Sequence, residues 1–194
     1  MTQDTIPESA THFRLRDLDR VGLTRGRLRG MLRQGRVERI GRGLYRRQGE
    51  ATELETVASV CARVPTAIVC LLTALLMHDI GTQLPAQVWI ALDRRSRKPR
   101  IEDLPVRIVR FSGAMLHYGI ETRRIQGVSV SLTSPARTVV DCFRYRNKIG
   151  LDVALEALKD VLRRRLATVT EISRAAQVCR ISTVIGPYLE AMLA

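Results

Sequence analysis

Apolar positions in the first fifty residues come in short bursts. From Thr24 to Gln34, Leu28, Met31 and Leu32 fall at i, i+3 and i+4, which predicts a short amphipathic helix with one narrow inward stripe. Thr24 stands where an N-cap belongs, and Gly35 where a left-handed residue would end the helix. Ahead of it, Arg16 to Arg20 is read as a shorter helix and Val21, Gly22 and Leu23 as a turn, giving helix-turn-helix spacing. Behind it, Val37, Ile40, Leu44 and Tyr45 surround Gly41, Arg42 and Gly43, which predicts two short strands joined by a tight turn, a wing. Such modules ordinarily open with a further helix, yet residues 1–11, with Pro7, show little apolar periodicity. That helix is expected to be abbreviated or supplied by later residues.

A polar break from Gln48 to Glu53 separates this region from a more apolar one. Leu54, Val57, Ala58, Val60 and Cys61 recur helically, and after Pro65 a second apolar helix is expected through Leu71, Leu72, Leu75 and Leu76, closing at His78 and Asp79. The uniformly apolar run from Val88 to Leu92 reads as a central strand, and the alternating run from Val106 to Phe111 as a half-exposed one. Arg123 to Ile125 and Val128 to Leu132 flank Gln126 and Gly127 as a hairpin. Ser134 and Pro135 cap and start a helix carrying Val139, Val140 and Phe143. Further helices follow from Leu151, from Thr170 to Cys179, and from Pro187 to Leu193. The expected fold class is α/β (α+β): a winged helix-turn-helix over residues 1–50, then a domain over residues 51–194 with a small β-sheet packed by helices.

Charge sharpens this picture. The 194-residue chain carries a formal net charge of +13, almost all from arginine, and such an excess points to a polyanionic partner. It is clustered: Arg25, Arg27, Arg29, Arg33, Arg36, Arg39, Arg42, Arg46 and Arg47 face the single acid Glu38. On a helical wheel Gly26, Gly30 and Arg33 lie opposite Leu28, with Arg27 and Arg29 flanking them. Glycine costs about 1 kcal/mol in a helix interior, so two of them among arginines imply close approach of another molecule, and a major-groove wall is the candidate. Arg27 and either Arg29 or Arg33 are the expected readers of base edges; Arg36, Arg39 and Arg46 are expected at phosphates, Arg25 is a further DNA-binding candidate, and Arg42 is expected in a minor groove. A second cluster, Arg94, Arg95, Arg97, Lys98 and Arg100, reads either as an extension of the footprint or as a solvated loop.

Other chemistries find little support. Cys61, Cys70, Cys142 and Cys179 show no metal-ligand spacing and read as buried reduced thiols, while His12, His78 and His117 are scattered. No metal, cofactor or catalytic residue is expected. The most apolar stretch, Ala67 to Met77, is too short to span a bilayer, and a cytoplasmic protein with no membrane partner is expected. A nuclease would need an acid followed nearby by acid-x-Lys; Asp93 ends one strand, but Glu121-Thr-Arg123 lacks the lysine. RNA readers usually present aromatic platforms, and aromatic residues are only 4% here.

Several strings resemble the AbiEi-type antitoxins of type IV toxin–antitoxin systems. They include Phe13-Arg-Leu-Arg-Asp-Leu18, Gly41-Arg-Gly-Leu-Tyr45, Cys70-Leu-Leu-Thr-Ala-Leu75, Val88-Trp-Ile-Ala-Leu92, Ser134-Pro-Ala-Arg-Thr138 and Pro187-Tyr-Leu-Glu-Ala191. The resemblance implies a transcriptional autoregulator whose winged helix binds inverted repeats in double-stranded promoter DNA, two copies per site. It further implies a second domain that opposes a nucleotidyltransferase toxin without obligatory contact. Two alternatives stay open: a stand-alone winged-helix regulator with no toxin partner, and a nuclease-fold enzyme.

Overall fold

The computed structural model describes residues 12–41, 43–48 and 53–193, in two compact units. One takes the chain up to Thr66 together with Arg123–Val130; the other takes Ala67–Thr122 and Ser131 onward.

The first unit contains β1 (His12–Arg14), two 3-10 turns (Leu15–Asp17 and Asp19–Val21), α1 (Arg25–Arg33), β2 (Val37–Gly41), β3 (Leu44–Arg47) and α2 (Glu53–Arg63). Its antiparallel sheet has the order β1-β3-β2, with His12 opposite Arg46, Val37 opposite Arg47, and an irregularity between Arg39 and Gly41. Phe13, Leu18, Leu23, Leu28, Met31 and Val37 form its core, and Phe13 stacks on Tyr45 with ring centroids 5.8 Å apart.

The helix expected from Arg16 to Arg20 is instead the pair of 3-10 turns, closed by Gly22 at φ 68°. Leu18 is the only buried residue between Leu15 and Val21, so this stretch has no apolar stripe to hold an α-helix against a core. Strand β1, unpredicted, is too short to show alternation. The expected opening helix, residues 1–11, lies outside the described residues. Later residues do brace β1: the Nε2 of His12 lies 2.8 Å from the Ser59 hydroxyl of α2, and Arg14 donates to the Ala62 carbonyl at 2.8 Å.

The second unit is built on β4 (Ile68–Val69), α3 (Leu71–Met77), β5 (Val88–Asp93) and β6 (Val106–Phe111). It continues with β7 (Ile120–Ile125), β8 (Val128–Thr133), α4 (Pro135–Arg144), α5 (Arg146–Ile149), α6 (Leu151–Arg163), α7 (Val169–Val178) and α8 (Ser182–Leu193); the end of β7, the start of β8 and their turn group with the first unit. The sheet order is β6-β5-β4-β8-β7, with β5 parallel to β6, β4 antiparallel to β5 and β4 parallel to β8.

The apolar run after Pro65 is therefore not one helix. Ile68 and Val69 are β-branched, buried, and paired on both sides, so they form the middle strand, and the helix starts only at Leu71. Helix α8 likewise begins at Ser182 and runs through Pro187 rather than starting there. Gly186, having no Cβ, relieves the clash that a following proline ring imposes on its predecessor. Helix α4 is the hub: α3, α6, α7 and α8 all pack on it, and every residue from Ala136 to Phe143 is buried. Among the described residues no helix is long and apolar enough to cross a membrane.

Candidate nucleic-acid interface

Helix α1 is short, so its ends decide whether it forms. The Thr24 hydroxyl accepts from the Arg27 backbone N–H at 3.3 Å, which satisfies one free donor of the first turn. At the other end Gly35 adopts φ 69°, and the Gly35 and Arg36 N–H groups donate to Leu32 and Met31 at 3.2 and 2.9 Å, a Schellman-type stop. Leu28 and Met31 anchor the inner face.

The outer face carries Arg25, Gly26, Arg29 and Arg33, all exposed, with Arg27 and Gly30 half-buried at its margins. Arg25, Arg29 and Arg33 follow one another at i+4 spacing with no acid in the helix, and Arg25 sits at the helix's positive end. Each like-charge pair at that spacing opposes the helix by about 0.2–0.5 kcal/mol, and the dipole adds to this. A row that the isolated protein must tolerate is one that a polyanion relieves.

A Cβ placed on Gly26 or Gly30 meets nothing within 4 Å, so nothing in the protein's own packing demands glycine at either position. Gly30→Ala is therefore expected to stabilise α1 by about 1 kcal/mol while weakening duplex binding, because the added methyl stands where a groove wall would approach. Thermal melts and a duplex titration of the same variant check both halves; tighter binding would show that the glycine serves no close approach.

In the wing, Arg39 is exposed and its Nε donates to the Gly41 carbonyl at 3.2 Å. Gly43 adopts φ 66°, a conformation glycine takes without strain. Arg36 is exposed just beyond the C-cap of α1. Arg42, expected at the wing tip, lies outside the described residues. Arg46 is half-buried and ion-paired with Glu38 across the two wing strands, so part of its hydrogen-bonding capacity serves the fold. Burial, reinforced by the charges of Arg46 and Arg63, lowers the pKa of His12 to about 4, and the imidazole is neutral near pH 7.

The second basic cluster belongs to the other unit. Arg94, Arg95, Arg97, Lys98 and Arg100 are all exposed on the loop leaving β5. That loop is held by the Arg95 N–H on the Asp93 carboxylate at 2.9 Å and by Arg110 Nη1 on the Ser96 carbonyl at 2.9 Å. The acids weighed for a nuclease are far apart: Asp93 ends β5 and Glu121 lies in β7, with β4 and β8 between them. Three inter-strand steps amount to about 14 Å, too far for one metal-bound phosphate. The four cysteines are buried free thiols, and burial raises their pKa values, Cys61 to about 12 and Cys179 to about 11, which leaves them poor nucleophiles.

An arginine-faced helix held between paired turns and a two-stranded wing makes this unit helix-turn-helix-like, with a wing. Residues 8–48 match the family model described as a transcriptional regulator, AbiEi antitoxin, and over that segment the resemblance read from the sequence is borne out. No curated protein matches the chain. What sequence reading missed is the hairpin 123–130 as part of the first unit; no local pattern signals a return to a unit that otherwise ends at Thr66.

Proposed function

We propose that this chain is a transcriptional repressor that controls its own promoter, and the antitoxin of a type IV toxin–antitoxin pair acting in the cytoplasm. The exposed arginine and glycine face of α1, within the segment that matches the regulator family, carries the reading. In it, residues 1–50 supply DNA recognition and residues 51–194 the antitoxin part, with two copies on an inverted repeat whose half-sites lie about one helical turn, or a multiple, apart. Arg27 and either Arg29 or Arg33 read base edges; Arg36, Arg39 and Arg46 hold phosphates; Arg25 belongs to the same basic face, and Arg42 enters the minor groove. The exposed loop with Arg94, Arg95, Arg97, Lys98 and Arg100 is a candidate polyanion-binding element of the second unit.

Arg29→Ala is expected to lose about 1–3 kcal/mol of discrimination between operator and scrambled duplex. Arg36→Ala should weaken both duplexes alike and reduce the salt slope by about one. Anisotropy titrations at several salt concentrations, on DNA from upstream of the chain's own reading frame, separate these effects. If the wild type prefers structured RNA to that duplex, the DNA reading fails. Co-expression with a nucleotidyltransferase encoded beside it tests the antitoxin half through recovery of growth.

A further inference from the structure

The chain returns to its first unit after an excursion of more than fifty residues, and it brings arginines with it. Residues Arg123 to Val130 form the turn end of the β7–β8 hairpin, and His12 of β1 donates its backbone N–H to the Gln126 carbonyl at 3.3 Å. The turn has φ 48° at Gln126 and 84° at Gly127, the type I′ pattern that matches strand twist, so the hairpin end is stiff.

Beside it lies a cleft of about 510 Å³ lined by His12, Asp17, Arg20, Val21, Arg124 and Gln126, among others. Arg20, on the second 3-10 turn before α1, and Arg124, on the hairpin, are both exposed, and neither forms an ion pair among the described residues. The lining acid, Asp17, is outnumbered by these two guanidinium groups, and His12 is uncharged. The backbone hydrogen bond between His12 and Gln126 ties this wall of the cleft together, and the exposed Arg20 and Arg124 supply its charged reach.

We propose that Arg20 and Arg124 form a phosphate clamp that grips the DNA backbone, so that the hairpin end is a second DNA-contacting arm of the first unit. The clamp extends the DNA-binding reading above and rests on it. It matches a planar, permanently charged fork on each side to phosphodiester oxygens, and it reads no base. Backbone gripping of this kind contributes equally on operator and random duplex, and each contact releases counterions.

The test uses the full chain with Arg20→Ala, Arg124→Ala and the double substitution, titrated against upstream duplex and a random duplex of equal length. Each single variant should weaken both duplexes by the same factor, on the order of 5-fold, and lower the slope of log K against log salt by about 0.9; the double should lower it by about 1.8. Arg124→Lys should retain most of the slope, since the charge remains. Both residues are exposed, and circular dichroism melts verify that the variants fold. A folded double variant with wild-type affinity and slope overturns the clamp while leaving the α1 reading intact. Loss of discrimination with an unchanged slope also overturns it, because that would make these arginines base readers. If wild-type protein binds neither duplex while folded, the DNA reading fails and the clamp with it.

Discussion

Asp141→Ala is expected to destabilise the second unit by about 3–5 kcal/mol, the cost of leaving one member of a buried ion pair alone. Asp141 and Arg137 stand at i and i+4 in α4 with both side chains fully buried, and Arg137 Nε lies 3.0 Å from Asp141 Oδ1. Arg137 also donates to the Tyr118 carbonyl at 2.7 Å, and its guanidinium sits 4.8 Å from the Phe111 ring centroid. Arg137 Nη2 and Asp141 Oδ2 have no hydrogen-bond partner, so the pair is only partly satisfied. Attraction to Arg137 pulls the Asp141 carboxyl down, but burial outweighs it and pushes the group up to about 6. Without the carboxylate, the arginine cation is buried with no counter-ion. The double replacement Arg137→Met and Asp141→Leu should be far milder, since hydrophobic substitutes often match a buried pair.

Urea denaturation followed through Trp89, the single tryptophan and a buried residue of β5, reads this directly. A loss below about 1 kcal/mol would mean that the pair is spectator packing. The same group sets a pH dependence. Its folded pKa, about 6, exceeds the ordinary 3.8, so the folded state holds the proton more tightly. That contribution is fully present below about 3.8 and is lost as pH rises through about 6. Asp141→Asn should remove this component of the slope.

Leu28→Ala is expected to cost about 2–5 kcal/mol and to abolish duplex binding. Leu28 is 3% exposed and is one of six residues forming the first unit's core. Small cores leave little reserve, and a unit near the low end of the usual range of about 5–15 kcal/mol would lose most of its stability. Because Leu28 also fixes which face of α1 points outward, its loss disorders the arginine row before any charge is removed. Hydrogen exchange of the α1 amides should accelerate sharply, whereas the half-buried Leu32→Ala should show a smaller change. Unchanged exchange in Leu28→Ala would mean that α1 is held by its caps rather than by its core.

Where one residue's chemistry decides local structure, the sequence could be read. Thr24 and Gly35 bounded α1, Gln126 and Gly127 marked a tight hairpin, and Ser134 with Pro135 opened α4. Reading failed where pairing at a distance decides. Ile68 and Val69 look like the start of a helix until β5 and β8 flank them, and His12 to Arg14 becomes a strand because β3 lies alongside. The arginine face of α1 followed from periodicity and charge. The pairing of Arg46 with Glu38 depends on wing register, and the Arg20 and Arg124 cleft on a contact across more than a hundred positions.

That long-range return bears on how the protein is made. Ribosomal synthesis usually lets N-terminal domains fold first, but here the first unit is not complete until Val130 has been polymerised. At about 5–20 residues per second, the interval between Thr66 and Val130 lasts roughly 3–13 s. During it the nascent chain carries α1 and the wing without the hairpin end whose Gln126 carbonyl accepts from His12 of β1. On the reading proposed above, the clamp arginine Arg124 would join the first unit only late in translation.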